Sequence, residues 1–267
     1  MAGTIGEVVV LCGGEKSAGK SYYASCFKLL PDENTWKRFT DLGLVNRRSK
    51  SGLGNVIIQG KLVVSGGKSD EGQTKMTQLV SPDGTVEIVQ DSPVTLGHCM
   101  IKTDENTVLI TGGFGSSGEK NTYYQDFAFK TTNPGPEMLE NRRYHGCGLT
   151  LINGKAVAWV VGGSAGNGIL DTTEYLELEA ATPTWKEGPK MIIPTLSVRL
   201  IPSKNNLRLF SVGGNSDNGN LDSIYKLVCQ DSPESCKWEE IDTKLKGPRG
   251  GHVVVPIPAT LAMQLCN

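Results

Sequence analysis

Val8-Val9-Val10-Leu11-Cys12-Gly13-Gly14 is an apolar run that closes on a glycine pair. The same shape returns as Leu62-Val63-Val64-Ser65-Gly66-Gly67 and as Val108-Leu109-Ile110-Thr111-Gly112-Gly113. It returns twice more, as Ala158-Trp159-Val160-Val161-Gly162-Gly163 and Leu209-Phe210-Ser211-Val212-Gly213-Gly214. The pairs are separated by 53, 46, 50 and 51 residues. A strand that ends on Gly-Gly at a period near 50 is the signature of a repeat architecture. A unit of that length cannot bury a core alone, so each must pack against its neighbours.

Working outward from each pair, the units unpack alike. A polar, glycine-rich loop comes first, then a strand with aromatic or β-branched residues at alternate positions, such as Tyr123-Tyr124-Gln125-Asp126-Phe127 or Thr173-Glu174-Tyr175-Leu176-Glu177. Alternation of this kind marks a strand with two unlike faces. A third strand comes next, carrying Trp36, Trp185 or Trp238 in three units, Val86 and Ile88 in the second, and Met138 in the third. Connecting segments at 47–55, 92–98, 141–145, 193–197 and 247–252 then lead into a fourth strand. Four strands per unit, repeated about every 50 residues, predict an all-β protein: a five-bladed β-propeller with four-stranded blades.

The ends supply a further expectation. The first unit begins on its Gly-Gly strand, and Gly251-His252-Val253-Val254-Val255-Pro256-Ile257 has no Gly-Gly strand after it. The predicted closure places that last strand innermost in the first blade, which leaves few open edges. Residues 1–258 then form one propeller domain and 259–267 a tail.

The units resemble the kelch motif in their Gly-Gly pairs, their spaced Tyr and Trp, and an Arg-x-x-His entry. That entry appears as Arg142-Arg143-Tyr144-His145 and again as Arg249-Gly250-Gly251-His252. The second and fourth units lack the Arg, and the second also lacks the Trp. Kelch resemblance implies a binding module whose loop face engages a protein or peptide, actin and short acidic peptides being familiar partners. It also brings a second class into view, since similar propellers include copper-dependent sugar oxidases and sialic acid epimerases. Those oxidases rely on a tyrosine–cysteine pair and additional domains that this sequence does not let us place.

Charge is balanced, 27 Lys plus Arg against 28 Asp plus Glu, so no global field recruits nucleic acid or an anionic membrane. No apolar run approaches the ~18 residues that span a bilayer. The opening residues do not read as a signal peptide, which leaves a cytoplasmic protein or a secreted one whose signal peptide has been removed. Seven cysteines are an odd number, which argues against complete pairing. Cys229 and Cys236 flank a turn-rich segment and are a candidate disulfide, with two free thiols as the equal alternative. Oligomeric state is not readable.

Three patterns bear on chemistry. Gly14-Glu15-Lys16-Ser17-Ala18-Gly19-Lys20-Ser21 matches a P-loop literally, but residues 22–30 align with strands of the other units where a P-loop needs a helix, so it reads as coincidence. The only three histidines, His98, His145 and His252, align at the entry to the innermost strand, with Asn55 and Ser197 placed there in the other units. Such a ring at the channel mouth can hold a metal, and the three histidines are the catalytic candidates if the protein is an enzyme. The simpler alternative is that each histidine bonds a neighbouring blade, and no cofactor is expected. The third pattern is the loop face, whose candidate ligand contacts are Lys68, Phe114, Asn215, Arg142, Tyr144 and Arg249, together with Glu15, Asp70, Asp217, Arg47, Arg48 and Arg143. Mixed charge with a few aromatics suits a protein, a peptide or a small polar ligand better than a phosphate backbone.

Overall fold

The computed structural model describes residues 1–17, 21–30, 35–44, 56–115, 119–166 and 168–257. Twenty strands build five antiparallel, four-stranded blades in a ring, and among the described residues the only helix is a 3-10 turn at Pro233–Ser235. Blade 1 consists of β1 (Ala2–Ile5), β2 (Val8–Cys12), β3 (Ser25–Leu30) and β4 (Thr35–Gly43). Blade 2 continues with β5 (Ile57–Ile58), β6 (Lys61–Ser69), β7 (Gly72–Val80) and β8 (Val86–Ile88). Blade 3 holds β9 (Cys99–Lys102), β10 (Thr107–Thr111), β11 (Thr122–Asp126) and β12 (Thr131–Pro134). Blade 4 comprises β13 (Gly146–Ile152), β14 (Lys155–Val161), β15 (Thr173–Glu177) and β16 (Lys186–Glu187). Blade 5 closes the series with β17 (Arg199–Pro202), β18 (Leu209–Val212), β19 (Ile224–Val228) and β20 (Lys237–Glu240). Each sheet runs in chain order from the inner strand outward. In blade 3 the outer strand is Thr131–Pro134, and Met138 lies beyond it, buried against Trp185 of blade 4.

The glycine pairs have a steric cause. Gly112 has φ +57°, and a Cβ there would stand 2.3 Å from the carbonyl oxygen of Arg142. Gly113 has φ +88°, and its Cβ would stand 2.7 Å from the backbone nitrogen of His98. The turn out of the strand and the entry of the next blade thus meet where only a residue without a side chain passes.

Apolar residues fill the seams between consecutive blades. Val10, Cys12 and Phe39 of blade 1 meet Leu62, Val64 and Val80 of blade 2. Trp159 and Tyr175 of blade 4 meet Val198, Leu209, Tyr225 and Trp238 of blade 5. Each outer-strand tryptophan there reaches back to the blade before it. Trp185 donates its indole N–H to the Pro136 carbonyl at 3.0 Å, and Trp238 donates to Thr173 Oγ1 at 3.4 Å.

The closure differs from the sequence expectation. The inner strand of blade 1 is β1, paired with β2 from Ala2 opposite Leu11 to Ile5 opposite Val8. Gly6 and Glu7 supply the hairpin turn that sequence reading missed, Gly6 standing at φ +58°. With that position filled, residues 251–257 pair with no strand. They instead run along the opposite face of blade 1: Thr4 Oγ1 donates to the Pro256 carbonyl, and Val255 packs on Val9 and Leu29. On the other side Arg199 Nε donates to the His252 carbonyl. This seam is thinly filled, and Trp36 on its flank is 47% exposed where Trp185 and Trp238 are buried.

Three disulfides join six of the seven cysteines. Cys12–Cys26 ties directly opposed residues of β2 and β3, and Cys229–Cys236 closes the turn between β19 and β20. Cys99–Cys147 links the inner strands of blades 3 and 4. Sequence reading had only the Cys229–Cys236 pair, because the other two partners meet through the fold. Cys266 lies outside the described residues.

Candidate functional site

The entry segments converge at one end of the inner strands. Gly97, Tyr144, Ser197 and Gly251 each take a positive φ, between 54° and 72°, just before the inner-strand position. The first three are bonded in sequence along the ring: Tyr144 N–H donates to the Gly97 carbonyl and Ser197 N–H to the Tyr144 carbonyl, both at 2.7 Å. This corrects the sequence alignment by one residue. Ser197 is the counterpart of Tyr144, and the residue aligned with His98 and His145 is Val198, fully buried. Asn55 and Arg47 and Arg48 lie outside the described residues.

His98 and His145 do not line this mouth. Both are fully buried, and each bonds a hydroxyl on the preceding blade: His98 Nε2 with Ser65 Oγ at 3.3 Å, His145 Nε2 with Thr111 Oγ1 at 2.8 Å. Burial pushes the His98 imidazole down to about 3. His145 is also held well below its ordinary range, by burial first and then by the Arg142 charge. Both are neutral rings that serve as blade-to-blade ties. His252 keeps the geometry, its Cε1 standing 2.9 Å from where a Gly213 Cβ would lie, but Val212 replaces the hydroxyl that Ser65 and Thr111 offer. Among the described residues no group of three His, Cys, Asp or Glu side chains is arranged to hold a metal ion.

Arg142 is also inside. Its Nε donates to Glu174 Oε1 at 2.9 Å, its NH1 to the Gly162 and Thr172 carbonyls, and its NH2 to Glu140 Oε2 at 2.9 Å and Thr172 Oγ1 at 2.8 Å. The guanidinium is spent on joining blade 3 to blade 4 and offers nothing to a ligand at the loop face.

Its neighbours do reach the surface. Tyr144 packs edge-on against Phe114 with ring centroids 5.9 Å apart. The Arg143 guanidinium lies over the Phe114 ring at 4.7 Å, an energetically useful stacking geometry. Arg143 also pairs with Glu119 at 3.2 Å and donates to Ser164 Oγ at 3.2 Å. Three loop segments are brought together in this way, and all five side chains are half-buried. Burial raises the Tyr144 phenol, Arg143 opposes that, and the carboxylate of Glu15 on the hairpin of blade 1 adds to it. Tyr144 is therefore a protonated hydroxyl at neutral pH, able to donate or accept.

Around this cluster the rim is polar. Thr95 Oγ1 donates to Gln73 Oε1 at 2.7 Å, and Asn215 donates to Asn220 within its own hairpin. Lys68 is half-buried beside Gln73 on blade 2, and Asp70, Asp217 and Arg249 are exposed. Glu119, Ser164, Gln73 and Thr95 were not singled out from the sequence, since their side chains meet their partners only through the fold. Glu15–Ser17 and Ser21–Tyr22 are the two strands of a hairpin, so the P-loop match has no helix to open.

Fold and rim together define a five-bladed β-propeller with a polar, aromatic-bearing mouth. No family model matches the chain, and none of the curated proteins does. Among solved structures it is similar to that of YjhT, with a TM-score of 0.70 over 90% of this chain and 82% of that one, at 12% identity. Identity that low carries the fold alone.

Proposed function

We propose that this protein is a non-enzymatic, kelch-type binding module that takes a polar ligand, a peptide segment or a small molecule, at the mouth of its central channel. The observation that supports this most is the Phe114–Tyr144–Arg143–Glu119 cluster. It places an aromatic edge, a cation, a carboxylate and a neutral hydroxyl within one half-buried patch assembled from separate repeats. Tyr and Arg are the residue types that dominate binding energy in such patches. The rigid blades beneath hold the loops at little entropic cost to association. Ser197, Asn215, Lys68 and Arg249 supply hydrogen-bonding groups around the rim. A reading as an enzyme built on the histidines draws no support from geometry, because His98 and His145 face a neighbouring blade and are shut off from solvent.

The test is a screen of immobilised peptide and glycan arrays with the wild-type chain, repeated with Arg143→Ala and Phe114→Ala. A probe that the wild type retains and both variants lose supports the reading. Probes retained equally by all three overturn it.

A further inference from the structure

The bridge between Cys99 and Cys147 differs in kind from the other two. Cys12–Cys26 and Cys229–Cys236 each lie within one blade, whereas Cys99–Cys147 spans two, across 48 residues of chain, with Cα atoms 5.9 Å apart. Its direction is set by the glycines beside it. A Cβ on Gly146 would press on Val198 at 2.8 Å, and one on Gly148 on Leu209 at 2.6 Å, so that face of β13 abuts blade 5. Cys147, between them, faces blade 3. Cys99 comes directly after His98, and Cys147 stands two residues after His145. The bridge thus sits just below the bond from Tyr144 N–H to the Gly97 carbonyl, the contact that sets the Tyr144 ring against Phe114.

We propose that Cys99–Cys147 is a covalent latch on the channel mouth, and that the chain acquires it in an oxidising compartment. The proposal rests on the reading of the mouth as the ligand face for its purpose, though not for its existence. The chemistry is thiol–disulfide exchange with an oxidised dithiol donor. One cysteine thiolate attacks a donor sulfur and releases the donor's first thiolate. The second cysteine thiolate then attacks the protein sulfur of the mixed disulfide and expels the second donor thiolate. Two protons leave the cysteines and the donor departs as the dithiol. Once the blades have closed, Cys99 is fully buried and Cys147 nearly so, which denies a reducing thiol its line of attack. Three bridges in one chain of this size are characteristic of proteins matured where thiols are oxidised.

Two measurements test this with no ligand present. Protein isolated without reductant is denatured, alkylated and mapped by mass. Alkylation of Cys266 alone is the expected result, and alkylated Cys99 or Cys147 overturns the proposal. Amide hydrogen exchange is then compared between wild type and Cys99→Ser/Cys147→Ser, with Cys99→Ala/Cys147→Val as the volume-keeping alternative if the serines prevent folding. Exchange at Tyr144 and Ser197 is expected to accelerate about tenfold or more, as local opening no longer strains a covalent tie. Cys12→Ser/Cys26→Ser is expected to leave those two amides unchanged. Unchanged exchange in the latch variants, or equal acceleration in the control, refutes the latch. Loss of array binding in Arg143→Ala bears only on the ligand reading.

Discussion

His145, just before the inner strand of blade 4, bonds Thr111 on the second strand of blade 3, Nε2 to Oγ1 at 2.8 Å, with neither residue open to solvent. His98 makes the same tie to Ser65 one blade earlier. Both rings are neutral in the fold and would charge freely in the unfolded chain, where histidine titrates near 6.5.

That difference fixes a pH dependence. Above about pH 6.5 neither state protonates these two rings, and the stability that they carry is fully present. As pH falls below that value the unfolded chain takes up protons that the fold refuses, down toward the His98 value of about 3. Each of the two rings then removes ~1.4 kcal/mol of stability per pH unit at most. Urea unfolding between pH 6.5 and 5, where carboxylates barely titrate, is expected to show the decline. His98→Asn should lower its slope, and a flat profile would refute the neutral assignment.

Arg142 and Glu174 form the buried ion pair between blades 3 and 4, and Glu174 also accepts from the Leu139 and Glu140 amides at 2.6 and 3.2 Å. Removing the cation strands a carboxylate away from water. Arg142→Met is expected to cost about 3–5 kcal/mol. Adding Glu174→Gln should recover part of that loss, read from urea midpoints as a double-mutant cycle.

Of four tryptophans only Trp36 is open, since Trp159, Trp185 and Trp238 are 0%, 4% and 7% exposed. Iodide should quench one component of the emission and leave the rest, and Trp36→Phe should abolish the quenchable part. Emission that is wholly shielded would mean that the seam beside blade 1 is covered in solution.

The repeat was legible because it has one steric cause. Gly66, Gly112, Gly162 and Gly213 each turn at positive φ against a carbonyl of the next entry segment, so five blades and their order could be read from the pairs alone. The closure was not legible, because Gly6-Glu7 makes a hairpin with no Gly-Gly mark, and a strand of four residues gives too short a pattern to weigh. At the site, Phe114, Tyr144 and Arg143 were found as loop residues of the right type. Arg142, one position away, was indistinguishable from Arg143 in sequence, and which one turns inward depends on Glu174 waiting in the adjacent blade. The histidines aligned for a packing reason. Their alignment marks the place where one blade leans on the next.

The central claim is that ligand is held at the mouth by Tyr144 and its neighbours. It is tested most directly by calorimetric titration of an array-derived peptide or glycan into wild type, Tyr144→Ala and Lys155→Ala. Lys155 opens β14, beside the turn at the far end of the same blade. Tyr144→Ala is expected to weaken binding by ~2 kcal/mol, about thirtyfold, with Lys155→Ala indistinguishable from wild type. Unchanged affinity in Tyr144→Ala, or a loss confined to Lys155→Ala, would contradict the claim.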